Sequence, residues 1–255
     1  MPKRQWIVAG ALVAALAVPV AVDRTVAAVA ENRVAALLSC ATGATGDLDV
    51  TIGGFPFLTQ LVRGAFDQVR LRADAVTVRD VALHDIDIEA HGLRGTSVDS
   101  LTATGVLAWS GLGSVVTERL GAGGLNTGGL NIGALELGGD DAGRLAVTAA
   151  LPIAGTSVPA TVYADLAVAG TTLTITPAEV ELSALGLRVP ASRLPSALAG
   201  PHTVPLPALP AGLVLQRVAA TADGLAVTVA GTGMSADGIG TPHTDTTGTC
   251  EGTNE

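Results

Sequence analysis

Asp85, Asp87, Glu89 and His91 recur at every second residue. On a β-strand that spacing would project all four side chains from one face at intervals of about 6.6 Å. Adjacent pairs of such a set could share a hard cation, but the sequence favours the alternative, an ordinary solvated polar face. His84, His202 and His243 have no acid–nucleophile partner nearby in sequence and read as surface or core-edge histidines. The chain contains no G-x-S-x-G elbow, no G-x-x-x-x-G-K-[ST] loop, no G-x-G-x-x-G fingerprint and no H-E-x-x-H pair. These residues therefore offer no catalytic group, no metal centre and no cofactor site.

The chemistry that does concentrate is apolar and cationic. Aromatic residues make up 2% of the chain, yet all three phenylalanines, Phe55, Phe57 and Phe66, fall within twelve residues in and after the run Gly53-Gly54-Phe55-Pro56-Phe57-Leu58-Thr59-Gln60. Aromatic rings supply large, rigid contact area, so this segment reads as a local surface at the mouth of an apolar groove or as a plug closing one end of the core. Arg63, Arg70, Arg72, Arg79 and Arg94 follow within 32 residues of one another. Guanidinium pairs bidentately with phosphate, and an apolar mouth rimmed by Arg63, Arg70 and Arg72 would suit an anionic phospholipid headgroup. The competing account of each arginine is surface ion pairing with Asp67, Asp74 or Asp80. The candidate lipid-binding set is Phe55, Pro56, Phe57, Leu58 and Phe66 with those three arginines.

The elements that position this set start at the N-terminus. Lys3 and Arg4 precede an uncharged run from Ile7 to Val22, longer than a usual signal h-region and shorter than the roughly 20 residues of a membrane span. Residues 1–22 are expected to be a signal peptide or an N-terminal anchor. Small-x-small sites end at Ala17 and Ala30, and the positive end inside would put the rest of the chain outside the cytoplasmic membrane. In an oxidising compartment the only two cysteines, Cys40 and Cys250, would pair, closing a loop that stabilises by roughly 5 kcal/mol on the chain-entropy account. Net charge is −9 and Lys3 is the single lysine, which excludes a nucleic-acid partner that needs clustered basic charge. Mean hydropathy is +0.50, high enough to imply strands buried on both faces or an apolar cavity.

Val22, Val26, Val29, Val34, Leu37 and Leu38 draw one helical stripe, with Glu31, Asn32 and Arg33 on the other face. Beyond Gly46 the period becomes two, around Val69–Arg72, Leu101–Trp109, Leu145–Leu151 and, longest, Val158–Val168. The alternation loses phase between Leu83 and Ile86, where a β-bulge would bend the sheet. Asp223-Gly224 and Ala169-Gly170-Thr171 read as hairpin turns. Leu112 to Leu120 looks like a short helix, residues 121–139 like a flexible glycine-rich loop or a weak strand, and Pro201, Pro205, Pro207 and Pro210 like an extended crossing. The fold class is α+β: a long N-terminal helix followed by many antiparallel strands. Residues 23–233 would form one domain, and 234–255 a flexible tail.

The run GGFPFLTQLVRGAFDQVRLRADAVTV, with the later LPALPAGLVLQRVAATADGLAVTVAG, resembles the actinobacterial LmeA-like phospholipid-binding family over residues 24 to 233. The resemblance implies a fold similar to one tubular lipid-binding (TULIP) module, in which a strongly curved antiparallel sheet wraps the long helix around an acyl-chain groove. It also implies an exported cell-envelope protein that binds or carries membrane phospholipid without catalysis, and a role in elongating the mannan of lipomannan. The glycine-rich 121–139 insert, the cysteine-containing tail and Ala65 depart from the family pattern. Two rivals stay open: an adaptor module docking an envelope glycosyltransferase without lipid, and a hydrolase with an unrecognised site.

Overall fold

A computed structural model describes residues 2–42, 46–78, 81–112, 136–153, 156–182, 186–193, 200–206, 209 and 211–235. Helix α1 (Pro2–Thr42) is followed by β1 (Leu48–Gly53), the short helix α2 (Phe57–Arg63), and three long strands, β2 (Ala65–Val78), β3 (Val81–Arg94) and β4 (Ser97–Ala108). Then come β5 (Glu136–Gly139), β6 (Leu145–Ile153), β7 (Thr156–Ala169), β8 (Thr172–Leu182), β9 (Leu187–Pro190), β10 (His202–Pro205), β11 (Leu213–Ala220) and β12 (Gly224–Ser235). The α+β class expected from the change of period is the one observed. The helix expected between Leu112 and Leu120, residues 121–135 of the glycine-rich segment, the tail beyond Ser235 and hence any Cys40–Cys250 bond lie outside the described residues, whereas residues 136–139 form β5, and Met234 and Ser235, expected to open the tail, end β12.

The strands form two antiparallel sheets, β1-β2-β3-β4-β12-β11 and β10-β8-β7-β6-β5, with β9 also on β8. Neither closes into a barrel. They meet where Ala220 N–H donates to the Gly143 carbonyl at 3.0 Å, while within the first sheet Trp109 Nε1, just after β4, donates to the Thr221 carbonyl of the β11–β12 turn at 3.0 Å. The loss of phase near Leu83 is a bulge: the three-residue step from His84 to Asp87 on β3 faces the two-residue step from Val106 to Thr104 on β4, with Asp85 at φ 53°. The long alternation is β7, and both expected hairpins form, as β7–β8 and β11–β12. In the second sheet the guanidinium carbons of Arg144 and Arg188 lie 5.3 and 5.4 Å from the Tyr163 ring centroid. Partial burial and the hydrogen bond to Glu181 push the Tyr163 hydroxyl above its ordinary pKa.

The orientation of α1 corrects the sequence reading. Val22, Val29, Val34 and Leu37 of the expected stripe are exposed, whereas Asp23 and Ala27 are buried, with Val26 and Ala30 packed at their margin. The helix lies along the edge strand β1 and against α2. Small Ala27 permits the close approach, and Glu31, placed on the solvent face by hydropathy, accepts from the Ile52 N–H of β1 at 2.7 Å. An edge strand leaves alternate N–H groups unpaired, and a carboxylate on the helix satisfies one of them.

Candidate functional site

Three residues, Gly54 to Pro56, turn the chain from β1 into α2. Gly54 has φ 95° and the Phe55–Pro56 peptide is cis. Pro56 occupies the N-cap position without a capping side chain of its own. The first N–H groups of a helix have no partner within it, and here another helix supplies one. Phe57 N–H donates to Asp23 Oδ2 and Leu58 N–H to Asp23 Oδ1, both at 2.9 Å, although Asp23 is only 3% exposed. At the other end Gly64, at φ 61° and ψ 31°, donates back to the Gln60 and Leu61 carbonyls, the usual glycine stop in the left-handed region.

Phe57 points inward from this frame and is 1% exposed, packed with Ala27 and Ile52. Its ring centroid lies 6.2 Å from that of Phe66 at an interplanar angle of 33°. Buried Gln60 is satisfied on both sides: its Nε2 donates to the Gly53 carbonyl at 3.2 Å and its Oε1 accepts from Asp67 N–H at 2.8 Å. That one amide ties the end of β1 to the start of β2. Phe55, 55% exposed, points outward, as do Leu58, Leu61 and Val62. The Arg24 guanidinium stands 5.7 Å from the Phe55 ring centroid and donates to the Gly54 carbonyl at 3.4 Å. The motif therefore divides, with Phe57 and Phe66 forming the plug and Phe55, Pro56 and Leu58 a surface.

Arg63 is exposed at the end of α2, with no ion-pair partner among the described residues. Arg70 and Arg72 sit farther along β2, Arg70 roughly 13 Å from Phe66 by strand rise. Arg70 donates to both oxygens of Asp87, at 3.0 and 2.6 Å, and Arg72 Nε donates to Oδ2 at 3.3 Å. The hydrogen bond from Arg70 is the main cause that holds Asp87 below the usual carboxylate range and raises Arg70 in turn. Structure thus joins Arg70 and Arg72 to each other through Asp87, not to the phenylalanines. The other members of the acidic strand are also engaged: Asp85 pairs with His84 at the bulge, and Glu89 accepts from Gln68 and pairs with His91. Among the described residues no group of three His, Cys, Asp or Glu could hold a metal ion.

Asp23, Arg24 and Gln60 are the site residues that sequence reasoning missed. Donation from Leu58 N–H, with that from Phe57 N–H and the nearby Arg24 charge, outweighs burial and lowers the Asp23 pKa. Because the folded value lies below the unfolded one, its stabilising effect is complete above the unfolded pKa and is lost as pH falls through the folded value. Asp23→Asn is expected to melt at a lower temperature than the parent at neutral pH and to show a flatter decline below about pH 4. Thermal melts across that range check it, and parallel acid limbs for the two proteins would refute the cap.

Among the described residues no helix is long and apolar enough to cross a membrane. No curated protein and no solved structure matches the chain. A family model described as LmeA-like phospholipid-binding matches residues 21–230, a span that starts just before Asp23 and takes in the Phe55–Phe66 motif and eleven of the twelve strands in full. With most of its length accounted for in this way, the chain belongs to the LmeA-like phospholipid-binding family.

Proposed function

We propose that this protein is an exported, non-enzymatic binder or carrier of phospholipid at the outer face of the cytoplasmic membrane. Family membership over residues 21–230 carries the reading. In the motif, exposed Phe55, Pro56 and Leu58 offer apolar contact while Phe57 and Phe66 hold them from beneath. Arg24 stands over the Phe55 ring and Arg63 ends the α2 helix that carries Leu58. Arg70 and Arg72 would meet an anionic headgroup only by sharing it with Asp87, which makes them the weaker part of the candidate set. The exposed Val22 and Val29 of α1 would form one wall of a TULIP-like acyl groove, where burial stabilises by about 0.8 kcal/mol per methylene. Support of lipomannan elongation and a Cys40–Cys250 bond belong to the same proposal, as does the division into residues 1–22, 23–233 and 234–255.

Paired replacement Phe55→Asp and Leu58→Asp tests the site. Both side chains face solvent, so the fold should persist while charge in the apolar contact abolishes retention of co-purified phospholipid. Undiminished phospholipid in the folded double variant would remove these residues from the site. A parent protein that carries no lipid yet binds an envelope glycosyltransferase would favour the adaptor alternative.

The position of Asp23 also constrains export. Cleavage after Ala30 would remove Asp23, Arg24, Val26 and Ala27, taking with them the α2 cap and part of the core around Phe57. The mature N-terminus is therefore expected to precede Asp23, whether by cleavage near Ala17 or by retention of the whole segment. Intact-mass analysis of the exported protein checks this, and a mature chain beginning at Glu31 would contradict it.

A further inference from the structure

Helix α2 buries Phe57 and Gln60 and exposes Leu58, Leu61 and Val62. Residues three and four apart share one side of a helix, so these three aliphatic side chains form one outward surface, preceded by Phe55. Val62 is 88% exposed. A contiguous apolar surface on so small an element calls for a partner.

The same corner of the molecule carries a second apolar surface. Val18, Val20 and Val22 of α1 are exposed, and they end the uncharged run that begins at Ile7. The next residue, Asp23, is the one that holds Phe57 and Leu58 of α2. The uncharged length of α1 and the outward face of α2 therefore converge on one point. Exposed Arg24 and Arg63 flank it, and each such cation near an anionic membrane surface is attracted to it.

We propose that Phe55, Leu58, Leu61 and Val62 seat the protein on an anionic phospholipid bilayer, in its interfacial layer, beside the point where α1 leaves the domain. This rests on the phospholipid reading for the class of partner and adds where the bilayer touches. A bilayer covers both apolar surfaces at once, whereas a soluble partner docked on α2 leaves Val18, Val20 and Val22 in water. An amphipathic helix in this setting lies with its apolar side about 5–10 Å into the headgroup boundary.

Val62→Trp in the full chain, reconstituted into phosphatidylglycerol–phosphatidylcholine vesicles, reports on the contact against the background of Trp6 and Trp109. The expected result is loss of the added emission when the lipids carry bromine on the acyl chains, greater for bromine near the headgroup than near the chain end. Quenching by aqueous acrylamide instead would overturn the proposal. So would shielding from acrylamide in vesicle-free buffer that grows with protein concentration, which would assign the face to a second copy. Leu61→Trp repeats the measurement should Val62→Trp fail to fold. Phospholipid extracted from the purified parent separates the two readings. Retained lipid with an aqueous reporter would sink the docking face alone, and a membrane-quenched reporter without retained lipid would sink the carrier reading alone.

Discussion

Phe57→Ala is expected to destabilise the domain by about 3–5 kcal/mol, the usual cost of truncating a well-packed core phenylalanine. The side chain is 1% exposed and touches three separate parts of the chain: Ala27 of α1, Ile52 of β1 and, ring to ring, Phe66 of β2. Its removal leaves a cavity where α1, α2 and the first sheet meet around Phe57 and Phe66, and the Asp23 and Gln60 hydrogen bonds hold the surrounding backbone in place. Denaturant titration should show a lower midpoint with an unchanged slope. Phe55→Ala, two residues away, should stay within about 0.5 kcal/mol of the parent because its ring faces solvent. Equal costs for the two variants would contradict the division of the motif into plug and surface.

Gly54→Ala should be the next most damaging change. At φ 95° an L side chain is strained, a cost of about 1–3 kcal/mol. The added methyl would also collide with Gln60 Nε2 and come within 2.9 Å of Asp67 Oδ2. Displacing the Gln60 amide breaks its bonds to Gly53 and Asp67, and an unsatisfied buried polar group adds about 1–3 kcal/mol. Gly64→Ala provides the comparison. Gly64 has φ 61° but open space around its Cβ position, so only the left-handed backbone penalty of about 1–2 kcal/mol applies. Thermal or denaturant melts that rank Gly64→Ala as the worse of the two would contradict the account of the β1–α2 turn.

What could be read from the sequence, and what could not, follows from the range of the interactions involved. The long alternation that became β7, the two hairpins and the bulge at Asp85 were legible because each depends on neighbours a few residues apart. Division into two sheets was not, since the β4–β12 pairing joins residues more than a hundred positions apart and local alternation carries no sign of it. The face of α1 was misread for a different reason. Hydropathy assigns Asp23 and Glu31 to water, but both accept backbone N–H donors at 2.7 to 2.9 Å and so occupy the packed side of the helix. For the arginines, the register supplied what spacing lacked: Arg72 lies opposite Asp87 in the β2–β3 pairing, a partner farther from it in sequence than Asp67, Asp74 or Asp80. The phenylalanine motif was recognisable from its clustering alone, yet which ring faces in and which faces out depends on the cap that Asp23 places on α2.

Phospholipid binding by this chain is tested by native mass spectrometry of the full-length protein taken gently from a membrane-containing source. Mass adducts that match intact phospholipids, and that yield phospholipid headgroup and acyl fragments on activation, are the predicted result. A spectrum of bare polypeptide from that preparation, unchanged after incubation with phosphatidylglycerol vesicles, would contradict the account.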